Sequence, residues 1–124
     1  MSLANSNPEN FARAMIEGML CGMADAVASL EKLGVEVKRI LLVGGAAKNP
    51  AVGKIASALF GREVLIPPPG EYVAIGAAKL AAWALLGTDR PPQWDLGEVE
   101  SFKETPTPEV LVKYRKLRDQ TEGW

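Results

Sequence analysis

The chain has 124 residues, 48% hydrophobic and 23% charged, which describes one soluble globular domain with material for a sizeable core and excludes a disordered or fibrous polypeptide. Its 14 basic and 15 acidic residues leave a formal charge of −1, so there is no field to attract nucleic acid or an anionic membrane surface. One cysteine and no histidine exclude an internal disulfide, a Cys/His zinc site, and Ser-His-Asp or Cys-His catalysis within the chain.

Residues 1–6 read as a disordered start or a vector-derived remnant, since Met1-Ser2-Leu3 lacks the charged and apolar regions of a signal peptide. Ser6-Asn7-Pro8-Glu9 then offers a capping box with an early proline, and Gly34 a stop, predicting a helix from Pro8 to Leu33. Along it Ala12, Ile16, Met19, Leu20, Met23, Val27 and Leu30 recur at spacings of three and four, an apolar stripe read as core. Gly18 and Gly22, four apart, cost helix propensity and point to close packing of another backbone, with a ligand contact as the alternative. Cys21 sits on the same pattern and suits a reducing cytoplasm.

A strand is expected over Val37–Val43, running directly into Gly44-Gly45-Ala46-Ala47-Lys48-Asn49-Pro50. Two residues without Cβ let the backbone come within contact distance of something flat or anionic, and a helix opens behind them at Asn49-Pro50 and ends at Gly61. In open α/β sheets ligands bind at such junctions, beyond the carboxyl ends of the strands. A second strand is expected over Glu63–Ile66, broken by Pro67-Pro68-Pro69-Gly70. An alanine-rich helix follows from Tyr72 to Gly87, its Gly76-Ala77-Ala78 waist suited to tight packing on a sheet or helix. Residues 88–106 read as a linker. A last helix spans 107–124, and its Lys113, Arg115, Lys116 and Arg118 read as a solvated face.

The order is an α/β pattern with two parallel strands joined by a right-handed crossover. Two strands cannot close a sheet, so the chain reads like the end of a larger protein. Taken alone it is expected to self-associate, unless the helix from Thr107 folds back over the exposed face.

At this point three ordered motifs resemble the FGGY family of carbohydrate kinases. Arg13-Ala14 followed by Glu17-Gly18 is similar to a helix signature near the end of those enzymes, and Gly44 to Pro50 to their nucleotide loop. Glu71, Ala74 and Gly76-Ala77-Ala78 resemble their closing helix. The resemblance covers roughly residues 7–94, and Pro68-Pro69-Gly70-Glu71-Tyr72-Val73-Ala74 with the Trp83 helix looks most like the bacterial xylulokinase branch.

This implies an α/β fold, the C-terminal portion of a ribonuclease-H-like (actin-like ATPase) domain with an incomplete sheet and flanking helices. Residues 7–87 would form the nucleotide-binding side of the second kinase domain. The resemblance implies ATP as cofactor, with Mg2+ in the intact enzyme, and nucleotide contacts at Gly44, Gly45, Ala46 and Asn49. The implied partners are the remainder of the kinase and a small sugar, D-xylulose, which the intact enzyme would convert to D-xylulose 5-phosphate in the cytoplasm.

The family's phosphate loops, catalytic aspartate and sugar-contacting residues belong to upstream sequence, so no catalytic or metal-binding residue is expected here and the chain alone should be inactive. Ala46 stands where the family often has a third glycine, and Ala56-Ser57 where it often has Ala-Asp. Asn49 matches a position near the adenine and also fits a helix cap. Glu17 is expected to pair with Arg13, the glycine loop being its alternative partner, and Lys48 to be exposed, with phosphate contact as the alternative. Two readings compete with a xylulokinase: the same portion of a glycerol, gluconate or ribulose kinase, or a stand-alone interaction module in which the glycine pair is only a turn.

Overall fold

The computed structural model describes residues 3–95 and 97–121. After a single 3-10 turn at Leu3–Asn5, helix α1 occupies Pro8–Lys32. Asn7 is its N-cap: the side-chain oxygen accepts the Asn10 N–H at 2.8 Å and Pro8 takes the first helical position. The observed cap is therefore Asn7 to Asn10, one residue on from the Ser6 start of the expected box. At the other end the chain turns at Gly34, with φ of +86°.

The buried line of α1 is Leu20, Cys21 and Ala24, not the whole expected stripe. Ile16 packs at its margin, while Met19, Met23 and Leu30 are 42%, 46% and 47% exposed. Periodicity finds apolar residues without ranking them; neighbouring elements cover only the Leu20–Ala24 side. The expected close approach of another backbone is found at neither glycine: at Gly22 an added Cβ would lie 3.8 Å from the Tyr114 hydroxyl, an ordinary side-chain contact, and Gly18 has nothing within 4 Å. Arg13 and Glu17 form the expected pair, Nε to Oε1 at 2.7 Å. Burial pushes the Cys21 thiol pKa up, with the nearby charges of Glu17 and Asp25 adding to it, so this is an inert packing residue.

Three strands form one sheet in the order β1-β2-β3: β1 is Ile40–Leu41, β2 is Val64–Ile66 and β3 is Glu100–Phe102. β1 runs parallel to β2, with Ile40 opposite Val64. Helix α2 (Pro50–Phe60) makes the crossover between them. The strand expected over Val37–Val43 is thus shorter, because β1 is an edge paired on one side with a three-residue neighbour. β3 is a correction: residues 88–106 read as a linker, yet they supply a strand antiparallel to β2, with Val64 opposite Phe102 and Ile66 opposite Glu100. Its acidic, weakly apolar sequence hides it.

Gly53 of α2 sets how closely that helix meets the sheet. An added Cβ there would lie 2.8 Å from Phe102 Cδ2 and 2.9 Å from Ile66 Cδ1. Beyond β3 the chain is tied to α2 again. Ser57, fully buried, donates to the Lys54 carbonyl and accepts the Glu104 N–H at 3.2 Å. The Thr107 N–H donates to the Ala58 carbonyl at 2.9 Å.

Helix α4 (Pro108–Thr121) then folds back on α1 and α2; residues 122–124 of the expected helix lie outside the described residues. Its basic run is not simply a solvated face. Arg115 Nε donates to Asp25 Oδ1 of α1 at 2.7 Å, and Arg118 Nη1 binds the other carboxylate oxygen. Helix α3 (Tyr72–Leu86) departs most from expectation, since none of its residues is buried and Val73 and Leu85 are 91% and 87% exposed. Its small waist has no partner among the described residues. No helix among them is long and apolar enough to cross a membrane.

Two expectations follow from this packing. Alanine at Gly53 would gain about 1 kcal/mol of helix propensity, but the aromatic ring it meets is stiff and overpacking costs about 1–3 kcal/mol. Gly53→Ala should therefore lower the urea midpoint by a net loss of about 1 kcal/mol, and an unchanged or raised midpoint would show that Phe102 moves aside freely.

Partial burial works to raise the Asp25 carboxyl pKa but is outweighed by the hydrogen bond and charge of Arg115 and by Arg118, leaving it below the ordinary carboxylate range. A depressed pKa contributes stability above the unfolded value, about 3.9, and loses it as pH falls through the folded one. Asp25→Asn should melt a few degrees below the wild type at neutral pH, with the gap closing as the acid range below about pH 4 is entered. A gap that stays constant down to about pH 2 would contradict the ion-pair assignment.

Candidate functional site

Both parallel strands end at the same edge of the sheet, and the backbone leaving them builds a cleft. After β1 the Leu42 N–H still donates to the Leu65 carbonyl at 2.9 Å; the chain then turns at Gly44, whose φ of +103° and ψ of −178° lie in a region open essentially to glycine alone. Gly45–Lys48 forms a 3-10 turn leading into α2. Asn49 caps α2, its Oδ1 accepting the Ala51 N–H at 3.0 Å with Pro50 at the first position. The glycine turn and the capped helix expected from sequence are met, behind a strand shorter than expected.

The opposite wall comes from the end of β2. Pro67-Pro68-Pro69-Gly70 lines it, and the Tyr72 hydroxyl donates back to the Pro68 carbonyl, fixing the entry to α3. A third wall enters with the start of β3, bringing Glu98 and Glu100 to the opening. The cleft has a volume of about 660 Å³, within the range of pockets that hold small ligands.

Of the four residues singled out from sequence, Gly44 and Gly45 line this cleft, together with Lys48, while Ala46 and Asn49 do not. An added Cβ on Gly44 or Gly45 would meet nothing within 4 Å, so both present bare backbone to open space. Among the described residues the lining carries one cation, Lys48, and three carboxylates, Glu71, Glu98 and Glu100. Among the same residues no group of three or more His, Cys, Asp or Glu could hold a metal ion.

Sequence reasoning missed the polyproline wall and both strap glutamates. The proline wall had a signal, since it follows the second strand at the same sheet edge; Glu98 and Glu100 had none, because β3 was not visible.

Comparisons with known proteins agree with this fold. Residues 2–85 match the model of the FGGY family of carbohydrate kinases, C-terminal domain. The crystal structure of xylulose kinase from Bifidobacterium adolescentis superposes with a TM-score of 0.78 at 44% identity, covering 95% of this chain and 23% of that one. Xylulose kinase from Rhodospirillum rubrum gives a TM-score of 0.64 at 26% identity over 97% of this chain and 24% of the other. Among curated relatives, a ribulokinase from Vibrio parahaemolyticus is 28% identical over 98% of this chain and 23% of its own length. The chain thus spans about a quarter of the proteins it matches most fully.

The two loop glycines should behave differently on substitution. Gly44→Ala forces a Cβ into a glycine-only conformation and should cost about 1–3 kcal/mol of stability. Gly45→Ala, with ordinary φ and open space for its methyl, should stay within about 0.5 kcal/mol of the wild type. Chemical denaturation of the two variants checks this; equal losses would mean that the loop conformation described here is not the one in solution.

Proposed function

The chain belongs to the FGGY family of carbohydrate kinases, and we propose that it is the nucleotide-holding C-terminal portion of a xylulokinase. The intact enzyme would transfer the γ-phosphoryl group of ATP to D-xylulose, giving D-xylulose 5-phosphate and ADP in the cytoplasm. The observation that carries this reading is the glycine pair: bare backbone at the carboxyl end of a parallel strand, facing a ligand-sized cleft. The 44% identity to a xylulose kinase across 95% of the chain favours D-xylulose over ribulose or glycerol as the sugar.

In this reading Gly44 and Gly45 let the nucleotide approach the backbone, Lys48 stands on the phosphate side, and Ala46 and Asn49 shape the loop from behind the lining. Phosphoryl transfer depends on positioning and on stabilising charge around a metal-bound phosphate. Those groups, Mg2+ among them, would be held by the remainder of the kinase, and this chain's residues bind and orient. The exposed apolar residues of α1 and α3, such as Met15, Val73 and Leu85, would be the surface that remainder covers; left bare, they favour association of the isolated chain with itself.

The test uses the complete kinase carrying this segment, assayed by ADP release with D-xylulose, D-ribulose and glycerol. D-xylulose should give the highest kcat/KM; a preference for another acceptor would reassign the sugar. Gly45→Val, whose branched side chain projects into the cleft, should raise the KM for ATP about tenfold while leaving the KM for the sugar within about twofold. An unchanged ATP dependence would reduce the glycine pair to a turn.

A further inference from the structure

We propose that Tyr72 is a positioning residue for nucleotide binding: its hydroxyl clamps the proline corner between β2 and α3 and so sets the width of the cleft. The inference rests on reading the cleft as a nucleotide site, and it turns on the width of that cleft, not on which end of the nucleotide meets the wall.

The corner has few holds of its own. Pro67, Pro68 and Pro69 have a fixed φ and no N–H, so none of the three can donate a backbone hydrogen bond to a neighbouring element. Beyond them α3 offers little anchorage, because none of its residues is buried. Its N-cap position is no help either, since Glu71 makes no side-chain capping bond.

Tyr72 supplies the tie instead. Its hydroxyl donates to the Pro68 carbonyl four residues back, and its ring lies over Gly70, where an added Cβ would be 3.7 Å from Tyr72 Cε2 and Cζ. The side chain thus closes a loop over Pro69, Gly70 and Glu71. At Pro68 the pyrrolidine ring already sets φ, which leaves the direction of the carbonyl as the freedom that this bond removes. The same proline is held from the other side by the segment leading into β3, where a Cβ added at Gly97 would lie 3.1 Å from Pro68 Cγ. Pro68 is gripped twice, by its carbonyl and by its ring.

This grip acts on the cleft because the corner and Tyr72 line the same space as Gly44 and Gly45. The glycine wall has no side chains with which to follow a ligand, so the position of the proline wall decides how closely a nucleotide is contacted on both faces. Contact falls off steeply with distance, and a radial gap of about 0.5–1 Å already forfeits a quarter to a half of it. A loosened corner should therefore weaken nucleotide binding and leave the transfer step, whose groups the remainder of the kinase would hold, as it was.

The experiment uses the complete kinase, wild type and Tyr72→Phe, which removes the hydroxyl and keeps the ring. The KM for ATP should rise about fivefold, the net worth of one hydrogen bond, with kcat and the sugar KM within about twofold of the wild type. The first bonded amide of α3, Ile75 N–H to the Glu71 carbonyl at 2.9 Å, should exchange with solvent several-fold faster in the variant while the amides of α2 keep their protection. In the wild type, saturating adenylyl imidodiphosphate should slow exchange at the same amide, a readout that needs no variant to fold.

A merely structural Tyr72 would lower the melting temperature and the active fraction together, cutting kcat with the KM for ATP unmoved, and that result overturns the inference. So does an Ile75 amide in the wild type that is indifferent to the nucleotide analogue. If Gly45→Val raises the KM for ATP and Tyr72→Phe does not, this inference fails alone; if neither variant does, the nucleotide reading fails with it.

Discussion

The contact at Gly53 is the constraint on which the C-terminal half depends. There is no room for a Cβ between α2 and the sheet at that point, with Phe102 and Ile66 both within 3 Å of where it would be. The ring of Phe102 is thereby locked against α2, which holds β3 opposite β2 in a single register. From there the chain is pinned in sequence: the Glu104 N–H to Ser57 Oγ, the Thr107 N–H to the Ala58 carbonyl, and α4 to Asp25 through two arginines. A one-residue slip of β3 would turn Phe102 away from the core and expose it, and each later tie would miss its partner. The position of α4 over α1 is a consequence of a missing methyl group on α2.

What was legible in the sequence was local. Asn49 with Pro50 acts as an N-cap because its chemistry involves residues two apart, and the start of α1 at Pro8 was legible for the same reason, although its cap is Asn7 where a box from Ser6 was expected. The glycine stops and the Arg13–Glu17 pair are equally short-ranged. The cleft's first wall was legible for the same reason, since strand, turn and helix adjoin in the chain. β3 was not, because its reason for being a strand is Val64 and Ile66, about 34–38 residues away and invisible to a local pattern. Arg115 and Arg118 failed in the same way: a basic run on a helix reads as solvated unless Asp25, 90 residues earlier, is known to lie beneath it. The stripe on α1 was half right, since its apolar content was real but its orientation is set by what packs against it.

Helix α3 makes the distinction between chain and domain concrete. A helix apolar all round is ordinarily buried, yet no residue of α3 is buried here, and the outer flank of α1 shows Phe11, Met15 and Met19 to solvent. The buried core is small and gathered around α2: Leu20, Val52, Ala56, Leu59, Val64 and Ile66. Apolar surface of this extent contributes to stability only when covered. The matched xylulose kinases, of which this chain covers 23% and 24%, carry much further structure with which such surface could pack. The chain therefore has one face organised by its own C-terminal strap and another that its own elements leave uncovered.

That strap changes how the cleft can vary. The wall from β1 cannot change freely, because Gly44 has a conformation few other residues tolerate and Gly45 presents bare backbone. The wall from β2 is stiffened by three prolines and the bond from Tyr72 to Pro68. The third wall is held by main-chain pairing to β2 and by Phe102, two residues beyond Glu100, whose ring meets Gly53 of α2. The parallel pair thus sets two walls of the cleft through backbone conformation, and the antiparallel newcomer adds a third through its register.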